Sequence, residues 1–125
     1  MTAITNDLTL GDVLKYEEEN LYSRDQVTVV SGQNLKLGTV IGRVSATQKV
    51  KALDPSATDG SEVAAGVVLQ SIDASAAEKT NGLIVSRQAI LADHALIWPA
   101  AITTEEKTAA IAQLEAIGIL VRQGV

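Results

Sequence analysis

Leu96-Ile97-Trp98-Pro99 is the stretch that decides how this chain is organised. It carries the only Trp and one of the two Pro in 125 residues, in a chain with no Phe and two Tyr. Proline fixes its own φ and pushes the residue before it towards an extended backbone, so Trp98 is expected to be extended and held in place. An aromatic–Pro bond can take the cis form, with trans the default in folded proteins. A helix signal follows at once. Thr103 and Glu106 have capping-box spacing, in which the hydroxyl accepts from a backbone N–H three residues on and the carboxylate reaches back. Glu105 suits the positive end of the helix dipole. Ala110, Ile111, Leu114 and Ile117 share one helical face, while Glu105, Lys107, Thr108, Gln113 and Glu115 lie largely elsewhere. Gly118 is placed to end the helix, and Ile119-Leu120-Val121 reads as a last strand. Trp98 and Pro99 are thus a structural anchor where a β layer hands over to a helix.

Before this junction the signal is β. Val27-Thr28-Val29-Val30 is β-branched throughout, and Ser31-Gly32-Gln33-Asn34 reads as a turn. Thr39 to Val44 reads as a strand interrupted by Gly42, which signals a bulge, a bend or a close backbone approach. Gln48 to Leu53 alternates, with Val50 and Ala52 on one face and Lys49 and Lys51 on the other. Asp54 to Gly60 is a polar loop. Glu62 to Leu69 is the longest apolar run and reads as a buried strand. Residues 73–82 are small and polar and read as a loop with a helical turn. Leu83–Arg87 and Ala89–Ala92 read as two strands whose short link suggests a hairpin.

Residues 1–24 are different. They are polar, with an acidic run at Glu17-Glu18-Glu19 and isolated apolar points at Leu8, Leu10, Val13, Leu14 and Tyr16. They read either as an arm, flexible in the free protein, that adds itself to a partner, or as a frayed terminus without a role. Residues 25–125 form the single domain expected of this length. The fold class is therefore α+β: a small β-rich domain of short, barrel- or sandwich-like strands, one main C-terminal helix and an N-terminal arm.

Composition narrows the function. Apolar residues make up 46 %, but aromatics only 2 %, so the core is thin and oligomerisation is the expected remedy. A net charge of −5 argues against nucleic acid or an anionic membrane as a partner. No run reaches the length of a membrane span, and no signal peptide is visible, so synthesis in the cytoplasm is expected. With no Cys and one His, His94, neither a thiolate nor a transition-metal centre is expected. Asp93 beside His94 lacks the activated nucleophile of a triad. Asp54, Asp59 and Glu62 fit no Ca²⁺ loop template and read as a capped polar turn. The residues therefore point to no catalytic group, no cofactor and no small-molecule substrate. The rhythm of Gly32, Leu35, Leu37-Gly38-Thr39-Val40-Ile41-Gly42 and Val44 also occurs in lipoyl and biotinyl carriers. Lys49 and Lys51 stand in an alternating strand, however, and no Met flanks them. A small β-barrel adaptor or carrier domain remains the alternative.

The order of several motifs resembles the lambda-type head decoration proteins of tailed bacteriophages. They are Gly11-Asp12-Val13-Leu14-Lys15-Tyr16-Glu17, Tyr22-Ser23-Arg24, Gly38-Thr39-Val40-Ile41-Gly42, Asp59 to Val67, and Leu96-Ile97-Trp98-Pro99 with its helix. The resemblance implies a structural protein of the virion, a homotrimer on the outer surface of the expanded capsid. It implies that an N-terminal arm, residues 4–16, orders against the major capsid protein, with Leu8, Leu10, Val13, Leu14 and Tyr16 as contact candidates. The implied role is to clamp neighbouring capsid subunits against internal pressure, without catalysis.

Overall fold

The fold was analysed in a computed structural model, which describes residues 14–17 and 24–123. Among these residues ten short strands and one α-helix follow in order: β1 (Leu14–Glu17), β2 (Arg24–Val29), β3 (Gln33–Leu35), β4 (Val40–Arg43), β5 (Val50–Ala52), β6 (Ala64–Val68), β7 (Ile72–Ala74), β8 (Lys79–Val85), β9 (Ala89–Ala92), α1 (Thr104–Ala116) and β10 (Ile119–Arg122). A 3-10 turn, Asp93–Ala95, links β9 to the Trp98 stretch. The domain is mixed α+β, as its sequence pattern indicates.

Five strands close into a barrel in the order β2-β5-β4-β6-β8. Its pairings are antiparallel except between β2 and β5, which meet in parallel at Val29 and Val50. Strands β4 and β6 and the end of β8 are buried on both faces. Ile41, Val68 and Ile84 join Val27, Val29 and Val50 in one apolar cluster that draws on all five barrel strands. Their neighbours Val40, Val67 and Val85 point the other way, into a second cluster with Leu91, Leu114 and Ile119. Alternate side chains leave a strand on opposite faces, so a strand between two cores must be apolar at every position. That explains the unbroken run around Val67.

The second cluster lies between the barrel and a three-stranded sheet of order β1-β9-β10, with α1 packed on β10 and β6. Strand β9 is central, antiparallel to β1 and parallel to β10. The expected hairpin between β8 and β9 does not form. Gln88 between them takes a φ of 51°, and the two strands enter different sheets. A parallel β9–β10 pair needs a crossover, and α1 supplies it. Two further expectations are corrected. Gln33 and Asn34 belong to β3 and pair with Ala74 and Asp73 of β7, so part of the polar stretch after residue 72 is strand. Lys79–Gly82 is likewise the first half of β8, where pairing with β2 overrides weak local β-propensity.

Gly42 has the physical role its position suggests. The β4–β6 pairing shifts register between Ile41 and Gly42. A Cβ built on Gly42 would stand 2.6 Å from the Ser61 Cα and strike the Ser61 carbonyl oxygen. The obstacle is backbone and cannot rotate away. Gly42→Ala is therefore expected to destabilise the fold by at least about 2 kcal/mol, read as a lowered urea midpoint with an unchanged m-value.

Candidate assembly surface

Two regions are candidates for assembly: the start of the described chain at β1, and the Trp98–Pro99 junction. At β1, Leu14 pairs with Leu91, Tyr16 with Ile90 and Glu17 with Ala89, with an irregularity between Leu14 and Tyr16. Leu14 is partly buried against the second core cluster. Residues 14–17, which the sequence assigns to the arm, are thus part of the folded body, because β9 offers an edge and the core a place for Leu14. Leu8, Leu10 and Val13 lie outside the described residues, as do Glu18 and Glu19. Strand β1 is an edge of its sheet among the described residues. Because β1 runs antiparallel to β9, Leu14 lies at the end where β9 passes into the 3-10 turn.

At the junction the backbone of Ile97 ties two parts of the molecule together. Its N–H donates to the Gly38 carbonyl at 2.8 Å, and its carbonyl accepts from the Val40 N–H at 3.1 Å. The facing pair is a parallel bridge between Thr39 and Ile97. Trp98 is partly buried against the second cluster, and the Lys107 Nζ of α1 lies 5.5 Å from its ring centroid, in cation–π range. No cis peptide bond occurs among the described residues. The indole Nε1 is buried without a hydrogen-bond partner among them. Beside Trp98 and Pro99, an open hollow of about 210 Å³ is bordered by Leu35, Lys36 and Ile97. The side chain of Ile97 is 39 % exposed there.

The helix begins as its spacing predicts. Thr103 Oγ1 accepts from the Glu106 N–H at 3.1 Å, and Glu106 Oε1 accepts from the Thr103 N–H at 3.0 Å, completing the capping box. Gly118 follows the C-cap Ile117 with φ +86°, the left-handed conformation that glycine tolerates best. Gln113 was expected off the buried face, yet its Oε1 accepts from the Ala64 N–H at 2.8 Å. Its spacing from Ala110 is the available signal: helix positions three apart share a face.

The groups weighed for chemistry are turned to structural use. Asp54 Oδ1 accepts from the Ser56 N–H and hydroxyl, Asp59 Oδ1 from those of Ser61, and Glu62 Oε1 from the Gly60 N–H. The Ser61 bonds hold the Asp59 carboxyl below its ordinary range, and those of Ser75 do the same for Asp73. Lys49 pairs with Glu78 at 2.6 Å, and Lys51 approaches Asp59 at 3.6 Å. His94 is exposed in the 3-10 turn. No group of three or more metal-ligating side chains occurs among the described residues. One polar cluster escaped the sequence reading. Asp25 Oδ2 accepts from the Ser86 hydroxyl at 2.6 Å and from Arg87 Nη2 at 2.7 Å. Burial pushes this carboxyl up, but Ser86 and Arg87, with Arg43 adding, bring it below the usual Asp range.

These features define a class: a small α+β domain on a closed five-stranded barrel, with a second sheet whose edge strand receives the N-terminal segment. The family model described as the bacteriophage lambda head decoration protein D matches residues 3–119, and the chain belongs to that family. A search of the curated proteins finds no match to it.

Trp98 can be tested directly. Trp98→Ala is expected to cost about 3 kcal/mol of stability through lost packing. Trp98→Phe is expected to stay within about 1 kcal/mol of the parent, because it removes a buried N–H that lacks a partner. Chemical denaturation of both variants checks the pair.

Proposed function

We propose that this protein is a capsid decoration protein, made in the host cytoplasm and bound as a homotrimer to the outside of the expanded phage head. There it clamps neighbouring major capsid subunits. The family match over residues 3–119 carries this reading. The fold agrees with it, since the body is compact while a polar N-terminal segment with spaced apolar residues leads into the edge strand of a sheet. The capsid contacts fall to residues 1–13, with Leu8, Leu10 and Val13 as candidates. Leu14 anchors the segment in the body rather than in the partner.

The energetics suit such an arm. Ordering a segment costs roughly 1–2 kcal/mol per residue in backbone entropy. Backbone hydrogen bonds to a partner's sheet and burial of alternate side chains offset that cost. Three arms on one trimer raise the effective concentration of the second and third contacts, so modest individual affinities suffice. Trimer formation covers apolar surface that one thin-cored chain leaves exposed, of which Ile97 and Val63 are the largest described instances. The net charge of −5 is no obstacle on the outside of a shell, where the genome is not contacted.

Removal of residues 1–13 should abolish binding to expanded capsids stripped of decoration protein, while sedimentation still reports a trimer. Undiminished binding by the truncated chain would move the contact to the body.

A further inference from the structure

Asn81-Gly82 is the only Asn–Gly step in the chain, and it stands at an irregularity in the barrel wall. Across β2 and β8, Val27 pairs with Gly82 and Val29 with Lys79. One residue, Thr28, separates the first pair from the second on β2, whereas two, Thr80 and Asn81, do so on β8. That is a β-bulge: the extra residue is left out of the ladder and the pairing is locally disrupted. The Gln26 side chain reaches across to it, donating from Nε2 to the Thr80 carbonyl at 3.1 Å. Asn81 is exposed, and its carboxamide makes no hydrogen bond among the described residues. Gly82 itself is buried and paired with Val27, and a Cβ there would lie 2.8 Å from Val29 Cγ2.

We propose that Asn81 is a spontaneous modification site of the folded protein. The Gly82 nitrogen attacks Asn81 Cγ, the Cγ–Nδ2 bond breaks, and ammonia leaves with the proton that Gly82 gives up. Water then opens the five-membered succinimide at either carbonyl, leaving aspartate or isoaspartate at position 81. The reaction needs no enzyme, adds one negative charge and, in the isoaspartate, lengthens the backbone by one carbon inside the bulge. Asparagine is among the thermolabile residues. The irregular pairing beside Asn81 is where the strand has to open locally for the Gly82 nitrogen to reach Asn81 Cγ.

Asp59-Gly60 can close the same ring, more slowly because an ionised carboxylate is a poorer electrophile than an amide, and there Asp59 Oδ1 is held by Ser61 and the Gly60 N–H donates to Glu62 Oε1 at 2.8 Å. The electrophile and the attacking nitrogen are both occupied there.

The test is peptide mapping by mass spectrometry after incubating the intact protein in mildly alkaline buffer, beside the same protein unfolded in urea. A gain of one mass unit at Asn81, with an isoaspartyl isomer, is expected in the folded sample at a rate within about tenfold of the unfolded one. Asp59 should remain unisomerised in the folded sample. Asn81→Gln, which keeps the amide but disfavours ring closure, should silence the site; Gly82→Ala is unsuitable because its Cβ would disturb Val29. A folded rate more than about tenfold below the unfolded rate would overturn the proposal by showing that the bulge is as protective as a regular ladder. Absence of reaction in both samples would overturn it equally.

Discussion

Two backbone hydrogen bonds at Ile97 join the chain that leads to the helix to the barrel. Ile97 donates to Gly38 and accepts from Val40, extending the barrel by one parallel bridge on the far side of Thr39. On the near side, the Val68 N–H donates to the Thr39 carbonyl and the Gly38 N–H to the Val68 carbonyl. The Gly38–Val40 segment is thus shared between the barrel strand β6 and the chain that leads to the helix. Without that seam, β9, α1 and β10 would meet the barrel only through side chains. Pro99 then turns the chain, and Trp98, covered by Lys107 of α1, fills the corner.

The seam explains why two apolar clusters suffice for a chain with so few aromatic rings. Valine, isoleucine and leucine on strands with two buried faces serve both clusters, so few residues do the work of many. The arrangement requires close backbone approach, and Gly42 against Ser61 is where this is most demanding. It also leaves sheet edges to manage. Among the described residues β1 is such an edge, at the rim of the second sheet.

Much of this was legible in the sequence. The capping box at Thr103 and Glu106, the Gly118 cap, the close backbone approach at Gly42 and the buried run around Val67 are signals readable from a few neighbouring residues. The missed features are non-local. Gln33 and Asn34 carry turn chemistry but pair with β7, and Lys79–Gly82 carries loop chemistry but pairs with β2. The false hairpin at Gln88 has the same origin: a short link between strands does not reveal which sheet each one joins. At the junction, residue type singled out Trp98, which is partly buried against the second cluster beside Lys107. The inclusion of Leu14 in the body was not legible, because it depends on β9 offering an edge.

Amide hydrogen exchange of the intact protein tests the central claim, that the Ile97 seam couples the helix-bearing part to the barrel. The account predicts that the amides of Ile97, Val40 and Leu114 exchange together with those of the barrel strands, at the free energy of global unfolding. Earlier exchange at Ile97 and throughout α1 and β10, with the barrel still protected, would contradict it and show two separately stable parts.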